Sequence, residues 1–204
     1  MERYSNYWQL RENEREGEDY QIDVRQGISG SLVMAPHGGG IEPGTTEIAD
    51  AVAGDEHSFY SFEGLKRRDN LRLHITSRRF DEPVGVRMAK DSETILAIHG
   101  CKGKERVVYI GGRDKILREK VREVLENADF SIQEHPRFPG KSPLNICNRS
   151  RSRQGVQLEI TMPLRCLMFH DISRLMRKST TDLFERFVVA LSSALAKTKY
   201  STDV

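Results

Sequence analysis

Short apolar runs alternate along the chain with amphipathic segments, and glycine-bearing loops separate them. This alternation predicts an α/β fold. Ser31 to Ala35 reads as a buried strand that runs into Pro36-His37-Gly38-Gly39-Gly40, where a helix cannot continue. Thr45 and Thr46 ahead of Glu47 open a short helix, Glu47 to Ala53, closed by Gly54. Leu71, Leu73 and Ile75 alternate, which predicts a strand over Leu71 to Thr76. Thr94 to Ile98 is a continuous apolar strand ending at His99-Gly100, and Arg106 to Ile110 is another, ending at Gly111-Gly112.

Over Lys115 to Ala128 the residues Leu117, Val121, Val124, Leu125 and Ala128 share one helical face and charges fill the other. Phe130 to Ile132 reads as a short strand, and His135 to Arg153 as a long surface loop. Gly155 to Met162 is a strand with Val156, Leu158 and Ile160 on one side. The last helix, Asp182 to Lys197, carries Phe184, Phe187, Val188, Leu191 and Leu195 as a core stripe. The chain is expected to be one domain over residues 1–204, with residues 1–20 a polar N-terminal extension.

Composition narrows the function classes. The chain has 204 residues, 37% apolar and 30% charged, which fits a globular protein and not a disordered one. A formal net charge of +2 argues against a surface that coats nucleic acid or an anionic membrane. Three widely spaced cysteines, Cys101, Cys147 and Cys166, form neither a disulfide framework nor a CxxC metal knot. Met1 to Asp23 is polar and lacks the basic-then-apolar plan of a signal peptide, and no apolar run approaches the ~20 residues of a membrane span. Synthesis in the cytoplasm, with no membrane partner, is the expectation.

The small net charge hides an asymmetry. Residues 1–26 hold four basic and seven acidic side chains, whereas residues 137–178 hold nine basic and two acidic. A cationic cleft is compatible with near-neutrality.

Candidate chemistry gathers at predicted strand ends, where open α/β sheets bind ligands. His37, His74 and His99 all lie there. His37 and Glu42 are five positions apart on a glycine-rich turn, which lets both face one ion. His99 is the natural third ligand, giving a hydrolytic zinc set of two histidines and a carboxylate. A capped histidine in a tight turn, or a phosphate cradle, are the alternatives; no GxGxxG or GxxxxGK[ST] motif supports nucleotide binding.

Such hydrolysis needs a base, and Glu159 in an otherwise apolar strand is the candidate. The bland reading makes it part of a solvated edge. His74 suits a ligand, a substrate contact or a strand-end histidine satisfied by its neighbours. A Cys-His hydrolase built on Cys101 is a remote option, since Cys101 is two positions from His99. Arginines outnumber lysines, 22 to 10, and Arg113 and the run Asn148-Arg149 offer planar donors for carboxylates.

Read in order, Ala35-Pro36-His37-Gly38-Gly39-Gly40-Ile41-Glu42-Pro43-Gly44-Thr45, Leu73-His74-Ile75-Thr76-Ser77, Phe80-Asp81-Glu82-Pro83, Ile98-His99-Gly100, Tyr109-Ile110-Gly111-Gly112, Asn145-Ile146-Cys147-Asn148-Arg149 and Gly155-Val156-Gln157-Leu158-Glu159 resemble the phage-type poly-γ-glutamate hydrolases of bacilli and their prophages. The resemblance covers roughly residues 20–200. It implies a zinc amidohydrolase with a mixed central sheet flanked by helices, related to the zinc carboxypeptidases. Carried over, one Zn²⁺ sits on His37, Glu42 and His99, and Glu159 is the general base. The spacing departs from the carboxypeptidase pattern His-x-x-Glu, because four residues separate His37 from Glu42; the longer loop is typical of the phage-type enzymes. Asn148-Arg149 follows His99, not the order of the carboxypeptidase Asn-Arg pair. Arg149, Asn148, Arg113 and His74 are the expected contacts to the polyanionic substrate.

A monomer that binds no nucleic acid is the expectation, and the missing signal peptide fits a phage-type enzyme freed by host lysis. Two other functions compete. One is a related zinc amidase acting on a different γ-glutamyl, N-acyl amino-acid or cell-wall peptide substrate. The other is a non-enzymatic phage protein that binds nucleic acid through the basic segments, for which no helix-turn-helix or zinc-knuckle motif speaks.

Overall fold

A computed structural model describes residues 3–196. Seven strands form one sheet in the order β1-β3-β2-β4-β7-β5-β6. They are β1 (Tyr20–Arg25), β2 (Ser31–Gly39), β3 (Ser58–Gly64), β4 (Thr94–Cys101), β5 (Val108–Gly112), β6 (Ile132–Gln133) and β7 (Val156–Thr161). The central strands β3, β2, β4 and β7 are mutually parallel, β1 runs antiparallel to β3 and β5 antiparallel to β7, and β6 is parallel to β5. The sheet is therefore mixed, as expected.

Alternation along the strands splits the core in two. Val33, Ala35, Leu96, Ile98, Leu158 and Ile160 face one side. There they meet α2 (Thr45–Ala53), α4 (Lys115–Asn127) and α6 (Asp182–Ala196). Leu32, Met34, Tyr60, Phe62, Ile95 and Ala97 face the other side, against α1 (Tyr7–Asn13) and α3 (Pro83–Asp91). A short helix α5 (Met162–Leu167) follows β7. Buried apolar area on both faces supplies the main driving force.

Most predicted elements form within a residue or two of their expected ends, and Lys197 lies outside the described residues. The strand expected over Leu71 to Thr76 does not form. Asn70–Leu73 is instead a 3₁₀ turn, with Leu71 exposed and Leu73 and Ile75 buried beneath the second core. Three apolar positions alternate there, but the segment crosses the sheet's end and has no strand to pair with. Residues 1–20, expected as a polar extension, contribute α1 and bury Tyr4, Tyr7 and Leu10 in that same core. The Asn6 side chain caps α1, and the Tyr7 amide donates to Asp81 at 2.6 Å. Among the described residues no helix is long and apolar enough to cross a membrane.

Candidate metal centre and active-site pocket

The chain adds β3 on one side of β2 and then β4 on the other, so the order of strand addition switches between β2 and β4 while the two strands stay parallel. A crevice opens beyond the carboxyl ends of the strands at such a switch point. His37 and His99 lie on these two strands at that end. The cavity there is about 590 Å³.

His37 reaches the crevice through an irregularity in β2. Simple alternation from Val33 and Ala35 would aim it at the α2 side. The register with β3 shifts between Ala35 and Gly38, and the imidazole emerges on the opposite face, against His74, Phe80 and His99. Gly39 (φ +61°) then turns the chain; a Cβ there would lie 2.7 Å from the Gly64 carbonyl oxygen. The Glu42 amide donates back to the His37 carbonyl at 2.9 Å, which closes the turn.

The result is a tight donor cluster. His37 Nδ1 is 3.3 Å from Glu42 Oε1 and 3.2 Å from His99 Nδ1. His99 Nδ1 is 3.7 Å from Glu42 Oε2. The three ligand atoms lie within 4.8 Å of one another, in the range one ion would span.

Outer partners fix their orientation. His37 Nε2 donates to the Ile75 carbonyl at 2.7 Å; a carbonyl only accepts, so the Nδ1 lone pair faces the cluster. The Gly100 amide donates to Glu42 Oε2 at 2.8 Å. Burial works against the Glu42 charge, but the facing His37 and His99 imidazoles outweigh it and hold the carboxyl well below its usual range. Burial likewise lowers His99, while the Glu42 hydrogen bond and the Glu159 and Glu42 charges raise it on balance. An anionic oxygen facing two buried imidazole nitrogens is a donor set that fits a divalent cation.

Glu159 stands beside His99 in the β4–β7 register. Its strand position puts it on the face of Gln157, opposite Leu158 and Ile160. It is not on an edge: β7 lies between β4 and β5. Burial raises its pKa and the Glu42 charge adds to this, against His99, His37 and Arg165. Asn145 Nδ2 donates to Gln157 Oε1 at 2.7 Å, and Gln157 Nε2 reaches Glu159 Oε1 at 3.4 Å. That relay orients the carboxylate.

His74 joins the site, its ring tilted by 32° against that of His37 with centroids 3.9 Å apart, and its Nε2 3.8 Å from Glu42 Oε1. The facing His37 and burial hold its pKa down to about 3, so it is neutral at physiological pH. Cys101 also lines the pocket, but burial and the Glu159 charge push its thiol up to about 11, a poor setting for a thiolate nucleophile.

The other expected substrate contacts lie elsewhere. Arg149 spends its guanidinium on the carbonyls of Leu144, Phe80 and Arg78. Asn148 is buried; its Nδ2 donates to the Gly140 and Ser142 carbonyls, and its Oδ1 accepts from the Arg113 amide. Both hold loops and line no part of the pocket. Arg113 faces an adjoining groove.

The cations that line the pocket are Arg78, Lys102, Arg137 and Lys141, with Glu42 and Glu159 as its carboxylates. All four are exposed and lie on loops, where no periodicity points to them. Arg165 was equally hidden from sequence reasoning. Almost wholly buried, it binds the Pro43, Ile160 and Cys101 carbonyls and clamps the Glu42 turn to β4 and β7.

UPF0714 protein YndL of Bacillus subtilis (strain 168) is 37% identical over 188 residues, 90% of this chain and 73% of its own. The SPbeta prophage-derived UPF0714 protein YoqZ of the same organism is 32% identical, over 98% of this chain and 73% of its own. A solved bacteriophage poly-γ-glutamate hydrolase superposes with a TM-score of 0.94 at 34% identity, covering 97% of this chain and 98% of that one. A zinc-free structure of YndL superposes at 0.91, with 34% identity and coverage of 98% and 100%. An N-formylglutamate amidohydrolase from Ralstonia eutropha JMP134 shares the fold at 0.55 and 10% identity. The poly-gamma-glutamate hydrolase family model matches residues 4–190, and the chain belongs to that family of hydrolases.

Proposed function

We propose that the protein cleaves the γ-glutamyl amide bonds of poly-γ-glutamate in a zinc-dependent reaction with Glu159 as general base. The observation that carries this reading is one constellation: three converging ligand atoms, a carboxylate on the adjacent strand, and a cation-lined pocket around both. His37, Glu42 and His99 would hold the zinc; a relative of this chain has been described in a zinc-free form. Zinc in such a site polarises the scissile carbonyl and makes water a better nucleophile.

The chain's own residues do the rest. Glu159 takes a proton as a water oxygen bonds to the amide carbon, and delivers it to the nitrogen as the C–N bond breaks. Its raised pKa suits both halves of that exchange. Gln157 holds the carboxylate in place. Each γ-linked residue leaves an α-carboxylate free, and Arg78, Lys102, Arg137 and Lys141 meet those charges at the pocket wall. His74, neutral beside His37, offers an imidazole to the bound substrate. The enzyme is taken to act as a monomer.

Metal analysis and incubation with poly-γ-glutamate test this directly. One zinc per chain, and polymer shortening that a chelator stops and zinc restores, is the expected result. A metal-free protein that leaves polymer length unchanged after zinc addition would overturn it.

A further inference from the structure

The catalytic pocket has a neighbour. A groove of about 880 Å³ lies beside it, lined by Arg113, Lys115, Arg118, Lys141 and Gln154. Four cations and no carboxylate line this groove. Lys141 belongs to both walls, the pocket's and the groove's. Arg113, Lys115 and Lys141 are exposed and make no ion pair among the described residues. Arg118 is 9% exposed; one arm is paired with Glu134, and its buried Nε has no hydrogen-bond partner. A buried guanidinium N–H left unsatisfied is costly unless a ligand completes it. The groove also contains the start of α4, whose free amides favour an anion, although Asp114 already caps Leu117 there.

The residues between pocket and groove are held rigidly. Asn148 binds the carbonyls on either side of Lys141, at Gly140 and Ser142, and accepts the Arg113 amide. The Gly112 amide donates to the Pro139 carbonyl at 2.9 Å. Asn148 thus sets Lys141 and Arg113 at fixed positions on one path that leaves the pocket.

We propose that this groove is a distal subsite for the polymer, binding α-carboxylates of γ-glutamyl residues beyond the scissile bond, with Asn148 as its positioning residue. The proposal rests on the poly-γ-glutamate reading of the pocket. It explains why Arg113 and Asn148 stand out in the sequence and yet stay outside the catalytic pocket. A polyanion bound at two adjoining sites gains from both at once, because the second site meets a tethered carboxylate. A short γ-glutamyl oligomer gains from the pocket alone.

The test uses the full chain with Arg113→Gln and Lys115→Gln combined. The charge-matched control is Arg87→Gln with Lys90→Gln on α3, where neither residue lines pocket or groove. Binding of labelled poly-γ-glutamate is read by fluorescence anisotropy, and kcat/KM is compared between polymer and a γ-glutamyl trimer. The groove variant is expected to bind the polymer roughly fivefold to twentyfold more weakly than wild type, with a flatter salt dependence. Its polymer-to-trimer ratio of kcat/KM falls in step. Asn148→Ala, if folded, shifts the same ratio.

Equal losses in groove variant and control, or an unchanged affinity in the groove variant, would overturn the subsite. Failure of wild type to bind polymer would do the same. Wild-type protein that binds polymer through the groove but never shortens it would leave the subsite standing and remove the hydrolase reading.

Discussion

Replacing Glu159 by Gln separates chemistry from structure in this site. Gln keeps the shape and hydrogen bonding of the side chain but cannot accept the water proton. General-base catalysis supplies about 10²- to 10⁴-fold, or roughly 2.7–5.5 kcal/mol of barrier. The turnover number should fall by that factor. Folding should not suffer, because Glu159 is a largely buried carboxylate whose charged form burial already disfavours. Gln removes that burden and retains the contact to Gln157. The melting temperature is expected to stay level or rise, an inverse relation between stability and activity. Zinc content should be unchanged, since His37, Glu42 and His99 are untouched. The assay is trimer hydrolysis, with metal analysis and calorimetry on the same preparation. Activity within tenfold of wild type would refute the base assignment. So would a loss of activity that tracks a loss of zinc.

Three further outcomes follow from the geometry. Burial pushes Glu63 up to about 7, with the Asp23 and Glu47 charges adding and Gln21 and Arg177 opposing. Its pKa when unfolded is near 4.5, so its contribution to stability is complete below that pH and is lost as pH rises through 7. Discounted for partial exposure, Glu63→Gln should stabilise by about 1–2 kcal/mol at pH 8 and by almost nothing at pH 4; equal effects at the two pH values in urea titrations would contradict this. Glu82 caps α3 by accepting the Val84 and Gly85 amides and also accepts the Tyr60 hydroxyl at 2.7 Å while 1% exposed. Glu82→Ala should therefore cost about 2–4 kcal/mol in denaturant titration, and a cost below about 1 kcal/mol would show the cap to be dispensable. Zinc in thousandfold excess over its dissociation constant should stabilise the fold by about 4 kcal/mol, and His99→Ala should abolish most of that gain; a melting temperature indifferent to chelator would exclude a metal-linked fold.

The parts legible in the sequence were those with continuous or strongly periodic apolar patterns. β4 is a continuous apolar run and β7 a strict alternation of apolar and polar residues, both at the middle of the sheet, and α4 and α6 bury clear stripes. β1 is an edge strand with mixed burial, so alternation is blurred. β3 carries Phe59, Tyr60 and Phe62 in succession, an aromatic strand signal that was there to be read. Glu82-Pro83 likewise marks the start of α3 in a known way. The metal candidates were legible because glycine spacing limits what His37 and Glu42 can do. Arg149 and Asn148 were not, because sequence does not distinguish a guanidinium that faces a ligand from one that holds three carbonyls. The pocket cations come from separate loops brought together only by the fold.

The register shift in β2 makes the proposed metal centre a matter of parity. Along a strand, odd and even positions belong to opposite surfaces, and a uniform strand would send His37 to the wrong one. One irregular step between Ala35 and Gly38 exchanges the two. A β2 that kept all its residues but lost that irregular step would still be a strand, and it would turn the imidazole away from Glu42 and His99. A homologue could lose catalysis this way while remaining, to every measure of overall shape, the same protein.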